Sequence, residues 1–404
     1  MNILHVNTYT SGGAGLASVR LHEALLQQGV DSHYLSLQGT SDKSKEMYSF
    51  AANSGIFFKI QNFTYRAIHQ LRLLPYGRPY IDSLHTPYDI TEHPLYPYAD
   101  IIHLHWVTKF LDWHSFFMKN KKSIVWTMHD MAPFSGGFHC MNDVHINNAT
   151  HLIARQEQTK MTLLHNQYIT PVGPSQWQVD NASHSKSMSL FKGIQIPNCL
   201  PSLHFQNIGL QYKNELRLKY KFNKEDKILF FVGDQLGLER KGFKYLYEAL
   251  RMIQQPMTLM VVGHGFDNSF FEGLSHHNIC NMGPVYESYK IAELYQISDA
   301  VVSPSIEDNL PNIMLESFAC GIPFIGFPIG GIKEYVVTGY NGHLCSSISA
   351  HDLAGGINDI LFNSSDIDYS ANCVSTYSRN FTPEIVAQQY IRLYHQILSS
   401  KNAV

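Results

Sequence analysis

The stretch that decides the fold is residues 299–331, DAVVSPSIEDNLPNIMLESFACGIPFIGFPIGG. It begins with an apolar run that predicts a strand, and a polar loop follows. A segment of helical period then runs from Ile313 to Ala319. Pro311 suits the first turn of this helix, and Gly321 suits the position just past its end. A second apolar strand, Ile322 to Phe327, completes a strand, loop, helix and strand, which is one βαβ unit of a parallel sheet.

Glu316 is unusual among the apolar residues of that predicted helix. A carboxylate buried there would be costly without hydrogen-bond donors. Asp308 precedes it at the end of the first strand, and open α/β sheets bind ligands outside the carboxyl ends of their strands. A carboxylate can accept two hydroxyl groups in a fork, as a ribose diol presents them. The alternative is that Glu316 lies on an exposed helix stripe, and the pattern alone favours neither interpretation.

The same stretch resembles the donor-site signature of the retaining, nucleotide-sugar-dependent glycosyltransferases of family 4. That signature is Pro-Ser, a short loop, Glu-x7-Glu and Ala-Cys-Gly-x-Pro. The chain shows Pro304-Ser305, Asp308-x7-Glu316 and Ala319-Cys320-Gly321-Ile322-Pro323. Its first acidic residue is Asp rather than Glu, and the adjacent Glu307 is an alternative for that role. The resemblance implies an α/β protein of the GT-B fold, with two doubly wound Rossmann-like domains facing each other across a cleft.

Length and composition fit this expectation. The chain has 404 residues, 44% hydrophobic content and a net charge of −3, which predicts a globular protein with two cores and no attraction to nucleic acid. Its six cysteines form no Cys-x-x-Cys pair, which favours reduced thiols in a cytoplasmic protein. The N-terminus MNILHVNTYT lacks the basic and apolar regions of a signal peptide.

Two similar halves are visible along the chain. We expect residues 1–198 to form an N-terminal, acceptor-binding Rossmann-like domain and residues 199–380 to form a C-terminal, nucleotide-sugar-binding one. Ile196-Pro197-Asn198 resembles the hinge of the family. Residues 381–404 contain an amphipathic helix, and the GT-B resemblance implies that it crosses back to the first domain.

The first strand, from Asn2 to Thr8, leads into a glycine loop and a helix. This arrangement places backbone N–H groups at a helix N-terminus, which attracts anions, but the loop lacks the full Gly-x-Gly-x-x-Gly spacing. As a lone motif it also suits tight packing alone. The resemblance assigns Gly12, Gly13 and Gly15 to the donor phosphates and the acceptor.

Histidines mark the next strands of the first half. His103 and His105 lie two residues apart and so share one face of a strand, which would suit a metal pair, but local spacing fixes no third ligand. We therefore predict no metal. The segments HLHW and TMHDMAPFSGGFHC resemble a subgroup acting in bacterial surface-polysaccharide (colanic-acid-type) assembly. The resemblance places His129 against the donor sugar, His105 and Trp106 on the acceptor side, and the loop 135–137 beside the same cleft.

Residues 47–81 contain no acidic residue but carry Lys59, Arg66, Arg72 and Arg78 among aromatic and aliphatic residues. Such a basic amphipathic segment can lie on an anionic membrane surface. The interpretation that we favour is an amphipathic helix that covers the first sheet.

The second half carries the donor-binding residues that the resemblance implies. The family pattern after the first strand of this half is Gly-Arg, a loop and Lys-Gly. Here Asp234 replaces the arginine, and Arg240 beside Lys241 is the candidate for the second phosphate charge. The expected catalytic residues are His129, Lys241, Asp308 and Glu316. The expected donor-binding residues of this half are Gly233, Arg240, Lys241, Gly263, Gly265, Val285, Asn309, Leu310, Pro311 and Glu316.

The function implied by the resemblance is retaining transfer of a hexose-type sugar from a UDP- or GDP-linked donor, without a metal or another cofactor. The expected acceptor is a glycan or a polyprenyl-diphosphate-linked sugar of polysaccharide biosynthesis, reached from the cytoplasm or the inner membrane face. Two alternatives stay open. One is a GT-B sugar-nucleotide epimerase. The other is an inactive nucleotide-sugar-binding protein, which the missing arginine and the Asp at 308 suggest.

Overall fold

The chain folds into two units, each built on one parallel sheet. Unit 1 comprises Met1–Cys199 and Pro383–Val404, and unit 2 comprises Leu200–Thr382. The computed structural model describes residues 1–50, 56–74, 81–141, 150–235, 238–265, 271–363 and 367–401.

Within the described residues, the sheet of unit 1 has seven strands in the order β3-β2-β1-β4-β5-β6-β7, and all adjacent pairs are parallel. The strand order reverses between β1 and β4, which is where open α/β sheets bind ligands. The strands are β1 (Asn2–Tyr9), β2 (Asp31–Gln38), β3 (Met47–Ser49), β4 (Ile101–Leu104), β5 (Ser123–Thr127), β6 (Ile169–Gly173) and β7 (Ile194–Gln195). The helices described before β7 are α1 (Gly12–Gln27), α2 (Ile56–Leu73), α3 (Trp113–Lys119), α4 (Thr150–Leu164) and α5 (Gln176–Ser183).

In the part of unit 2 that the structure describes, the sheet has six strands in the order β10-β9-β8-β11-β12-β13, again all parallel. Its switch point lies between β8 and β11. The strands are β8 (Ile228–Gln235), β9 (Thr258–His264), β10 (Asn278–Asn281), β11 (Ala300–Ser303), β12 (Phe324–Gly326) and β13 (Gly342–Leu344). The helices are α6 (Gly209–Lys219), α7 (Phe243–Met252), α8 (Ser288–Ile297), α9 (Asn312–Ala319), α10 (Ile332–Tyr335), α11 (Ala350–Phe362) and α12 (Tyr369–Asn380).

The last helix, α13 (Pro383–Lys401), belongs to unit 1. Its apolar face packs on α1 and on the sheet through buried residues that include Val386 and Ala387. Two tyrosines of the same face make hydrogen bonds within unit 1: Tyr394 Oη lies 2.7 Å from His103 Nδ1, and Tyr390 Oη lies 2.8 Å from Thr127 Oγ1.

The βαβ prediction for residues 299–331 is confirmed, because β11, α9 and β12 follow one another there as parallel strands and a helix. Gly321 has a φ of +73°, as a residue just past a helix end requires. Pro311 occupies the N-cap position instead of the first turn, so the helix begins one residue later, at Asn312.

The amphipathic helix predicted in the basic segment 47–81 is confirmed as α2, but the described side chains of this helix do not cover the first sheet as predicted. Met47–Ser49 is the edge strand of that sheet, and none of the described side chains of α2 is buried. The helix exposes large apolar residues, with Phe63 73% and Leu71 63% accessible. The side chains of Lys59, Arg66, Arg72 and Arg78 lie outside the described residues. Among the helices that the structure describes, none combines the length and apolar composition needed to cross a lipid bilayer.

Candidate functional site

An ion pair marks the carboxyl edge of the second sheet. Lys241 Nζ lies 3.1 Å from Asp308 Oδ2, and both side chains are about one-fifth accessible, at 22% and 21%. Lys241 lies in the connection after β8 and Asp308 in the connection after β11. Since these two strands flank the switch point, the pair lies where ligands of doubly wound sheets bind. The structure therefore brings together two residues that are far apart in sequence and were both assigned to the donor site.

Two glycines allow the backbone to hold this pair. Gly242 ends the 3₁₀ turn Glu239–Lys241 with a φ of +66°, and a Cβ atom there would lie only 1.8 Å from the carbonyl oxygen of Pro304. Gly330 has a φ of +42°, and its Cβ atom would lie 2.0 Å from the carbonyl oxygen of Asp308. Both positions exclude any other residue without a backbone shift.

Glu316 is buried, with 9% of its surface accessible, so it does not lie on an exposed helix stripe. Tyr295 Oη, which is itself fully buried, donates a hydrogen bond of 3.0 Å to Glu316 Oε2. This donor offsets part of the cost of burying the carboxylate. An ionised carboxylate offers about four lone-pair sites on its two oxygens, so its chemistry suits a site that binds hydroxyl groups.

The other residues predicted to bind the donor lie near or after the carboxyl ends of strands in the same sheet. Gly233 lies at the shift in register between β8 and β9. Gly263 N donates to the carbonyl oxygen of Gly283 over 3.2 Å. The half-buried Arg240 accepts a backbone hydrogen bond of 2.9 Å from Ile306. The remaining predicted residues at strand ends are Gly265, Val285, Asn309, Leu310 and Pro311, and Leu310 is buried at 5%.

The predicted glycine loop of unit 1 follows β1. Gly12 has a φ of +74° at the start of α1, and Ser11 makes no side-chain hydrogen bond that caps the helix. A Cβ atom on Gly15 would lie 2.8 Å from the carbonyl oxygen of Tyr9, so this glycine allows close packing of the helix on its strand. Gly13 is the second residue of the same helix.

Unit 1 also contains a pocket with several polar side chains in its lining, at the carboxyl ends of β4 and β5. Three predicted residues, His105, Trp106 and His129, line it. The rest of the lining mixes carboxylates, indoles and a lysine: Asp82, Ser83, Leu84, Val107, Thr108, Trp113, Trp126, Asp130, Ala132, Pro133 and Lys160. Burial lowers the pKa of His129 to about 4, so this imidazole is neutral at pH 7.

A histidine held between two carboxylates lies against this pocket. His139 Nδ1 lies 2.5 Å from Asp130 Oδ2, and His139 Nε2 lies 3.3 Å from Asp82 Oδ2. Burial alone would lower the pKa of His139, but the two carboxylates raise it well above its usual value. Trp106 Nε1 donates to Asp130 Oδ2 over 2.5 Å, and Thr108 Oγ1 donates to Asp82. The cluster is thus an imidazolium that fixes two carboxylates at the pocket.

Lys160 completes the charged lining. Its Nζ donates to the carbonyl oxygen of Ala132 over 2.5 Å and to that of Ser135 over 2.9 Å, and it lies 4.8 Å from the ring centroid of Trp113. Burial lowers the pKa of this lysine to about 8. Sequence reasoning missed the site residues Asp82, His139 and Lys160, because each meets its partners only through the tertiary fold.

The histidine pair considered for a metal is part of a larger cluster. His5, His103 and His105 are buried, and each offers a nitrogen atom within 4.8 Å of the others. Both nitrogens of His103 are engaged, by Tyr394 at 2.7 Å and by Thr127 Oγ1 at 2.8 Å. A metal bound to this trio would have to displace those hydrogen bonds, and the absence of a metal stays a prediction.

Comparison with known protein families finds a match for most of unit 2. Residues 213–376 match the family model of the glycosyl transferases group 1. Unit 2 thus carries a domain of this group, and the matched range contains Lys241, Asp308 and Glu316.

The chain is similar to N-acetyl-alpha-D-glucosaminyl L-malate synthase of Bacillus anthracis, with 30% identity over 194 residues. That alignment covers 46% of this chain and 49% of the relative, so the chain spans about half the length of the curated relatives that it matches.

Among solved structures, sucrose-phosphate synthase from Thermosynechococcus elongatus has a TM-score of 0.70 at 16% identity, covering 99% of this chain and 100% of that one. HepE from Anabaena, in complex with UDP and glucose, has a TM-score of 0.67 at 14% identity, covering 98% and 100%. These likenesses and the two parallel sheets confirm the predicted GT-B fold class of two doubly wound Rossmann-like domains.

Proposed function

We propose that this chain is a retaining glycosyltransferase. It transfers a sugar from a nucleoside diphosphate sugar to a glycan or a lipid-linked acceptor in polysaccharide synthesis. The observation that carries the proposal is the Lys241–Asp308 pair at the switch point of unit 2, inside the range that matches the glycosyl transferases group 1. The complex of Anabaena HepE with UDP and glucose supports a nucleotide-sugar donor.

Donor binding in this proposal uses unit 2. Lys241 and Arg240 neutralise the diphosphate, and the carboxylate of Glu316 accepts hydroxyl groups of the ribose. Asp308 holds the ammonium group of Lys241 in place before the donor arrives, because the two groups are 3.1 Å apart. A preorganised cation costs little reorganisation when charge develops on the leaving diphosphate.

Acceptor binding uses the pocket of unit 1. Carboxylates accept sugar hydroxyl groups, and indole rings pack against the apolar faces of sugars. Asp82 and Asp130 supply the first type of group, and Trp106 supplies the second. The proposal places the chain in the colanic-acid-type subgroup that its sequence motifs resemble. In this proposal the pocket of unit 1 determines which class of acceptor binds.

The chemical step needs no enzyme nucleophile in this proposal. The acceptor hydroxyl oxygen forms a bond to the anomeric carbon on the face from which the diphosphate leaves, and the bond between that carbon and the phosphate oxygen breaks. The proton of the hydroxyl group passes to an oxygen of the departing diphosphate. Lys241 stabilises the charge on that diphosphate, and His129 binds the sugar as a neutral imidazole.

A panel of UDP- and GDP-linked sugars with glycan and polyprenyl-diphosphate-linked acceptors tests the function, with product analysed by mass spectrometry and anomeric NMR coupling. The expected result is a product with retained configuration, formed equally well in the presence of a chelator. Conversion of the nucleotide sugar without an acceptor would instead show an epimerase. Donor binding without turnover over the whole panel would show an inactive binding protein.

We also propose that the protein acts in the cytoplasm, at the inner face of the membrane, and that α2 docks there. The helix exposes Ile60, Phe63, Ile68 and Leu71, and its segment lacks acidic residues, so it suits an anionic lipid surface. Flotation with vesicles containing anionic lipid is the test. Phe63→Ser should reduce vesicle binding several-fold, whereas Leu203→Ser, at a position 78% accessible in unit 2, should not. Equal recovery of the wild type with and without vesicles would refute docking.

A further inference from the structure

Three imidazole rings form a row from the core of unit 1 to its pocket. His5 Nδ1 lies 2.9 Å from His105 Nε2, and His105 Nδ1 lies 3.2 Å from His129 Nε2. His5 and His105 are buried, at 0% and 1% accessible, and His129 is half-buried at the pocket. The row therefore connects a predicted catalytic residue to a position deep in the sheet.

Parallel register produces this row. β1 and β4 are paired with His5 opposite His103, so His105 lies two residues nearer the carboxyl edge. β4 and β5 are paired with Leu104 opposite Trp126, and His129 follows three residues after that tryptophan. Each histidine of the row thus lies further towards the carboxyl edge than the one before it, which brings the last ring to the pocket.

The ring geometry shows edge-to-edge hydrogen bonding. The planes of His5 and His105 differ by 18° with centroids 5.2 Å apart, and those of His105 and His129 differ by 23° with centroids 5.4 Å apart. The centroid separations exceed the N···N distances by about one ring width, as contact between nearly coplanar ring edges requires. His103 is different, because its ring stacks over His105 at 4.2 Å and its nitrogens bind Tyr394 and Thr127.

The row fixes where the protons lie. Burial lowers the pKa of His5, His105 and His129, so all three rings are neutral at pH 7 and each carries one N–H. Each N···N contact needs one proton, so the whole row can have only two orientations. His5 Nε2 is buried and has no hydrogen-bond partner among the described residues. A buried N–H without an acceptor is rarer in proteins than a lone pair without a donor.

We propose that His5 and His105 are positioning residues that hold His129 as the Nδ1–H tautomer. His5 donates from Nδ1 to His105, His105 donates from Nδ1 to His129, and the Nε2 lone pair of His129 is occupied. His129 can then donate a hydrogen bond from Nδ1 to an oxygen atom of a bound sugar, but its Nε2 cannot serve as a general base. The identity of that oxygen rests on the proposed glycosyl transfer, whereas the tautomer does not.

NMR of the full-length chain with ring-¹⁵N-labelled histidine tests the proposal directly, because the ¹⁵N shifts of a neutral imidazole identify the protonated nitrogen. The expected result is Nδ1–H at His5, His105 and His129 at pH 7. An Nε2–H signal at His129 in the wild type would overturn the proposal, whatever the variants show.

Variants separate positioning from simple packing. His105→Phe keeps a ring of similar shape but removes both hydrogen bonds, so His129 should become a mixture of tautomers and kcat should fall about tenfold with little change in KM. His105→Asn can donate from its amide and should restore most of both readouts. His103→Phe, in the same strand but outside the row, should leave the tautomer of His129 unchanged. An unchanged tautomer in folded His105→Phe would refute the proposal.

The outcomes also separate this proposal from the proposed function. The Nδ1–H tautomer without glycosyl transfer on any donor would leave the row standing and the function refuted. Glycosyl transfer by an enzyme with Nε2–H at His129 would support the function and refute the proposed tautomer.

Discussion

Lys241→Ala should weaken the binding of nucleoside diphosphates by about 30-fold. The ammonium group has a carboxylate partner at 3.1 Å and is only 22% accessible, so it is partly desolvated and held in position. A hydrogen bond to a charged group in such a setting contributes about 1.5 to 3 kcal/mol, and a central value of about 2 kcal/mol corresponds to about 30-fold in Kd. The contact between an ammonium group and a phosphate without other partners would have a Coulomb energy of about 4 kcal/mol at an effective dielectric constant of 20. Because Lys241 already pairs with Asp308, its net contribution to nucleotide binding is smaller than that.

Thermal shift and calorimetry with UDP and GDP provide the assay. At a ligand concentration 100 times the wild-type Kd, binding stabilises the folded protein by about 2.7 kcal/mol, and a 30-fold weaker variant retains about 0.9 kcal/mol. Lys244→Ala is the matched control, because Lys244 is an exposed lysine three residues further along the chain. If Lys241→Ala and Lys244→Ala bind both nucleotides within twofold of the wild type, Lys241 is not in the donor site.

Three further changes follow from the structure. Glu316→Gln keeps the shape of the side chain but removes the negative charge that accepts ribose hydroxyls, so nucleotide affinity should fall at least tenfold by calorimetry; an unchanged affinity would contradict the ribose role. Gly242→Ala places a Cβ atom 1.8 Å from the carbonyl oxygen of Pro304 at a φ of +66°. It should lower the free energy of unfolding, measured in urea, by more than about 2 kcal/mol. Gly355→Ala is the control and should not lower it, because nothing lies within 4 Å of a Cβ atom there. Burial lowers the pKa of His129 to about 4, so the unfolded chain takes up a proton at this residue at a higher pH than the folded chain does. The free energy of unfolding should therefore drop by about 2 kcal/mol from this residue between pH 7 and pH 5. The drop should be smaller in His129→Gln.

Local signals were sufficient for the central βαβ unit. Apolar runs, a proline near a helix start and a glycine past its end are short-range features, and they predicted β11, α9 and β12. The strand Met47–Ser49 was missed because three residues carry too little pattern to separate a strand from its surroundings.

The partners within the candidate site depend on tertiary structure. The sequence motif named Lys241 and Asp308 individually, but only the fold shows that they form an ion pair. The contacts of His139 with Asp82 and Asp130 join residues from separate segments, and no local spacing indicates them. The helical period of α2 indicated an amphipathic helix, but period alone does not say whether the apolar face meets the protein or the solvent.

The central claim is that unit 2 binds the nucleotide of an activated sugar through Lys241 and Glu316. A crystal structure of the chain with UDP or GDP tests it most directly. The account predicts a diphosphate within hydrogen-bond distance of Lys241 Nζ and a ribose diol on the carboxylate of Glu316. Clear nucleotide density that contacts neither of these side chains would contradict it.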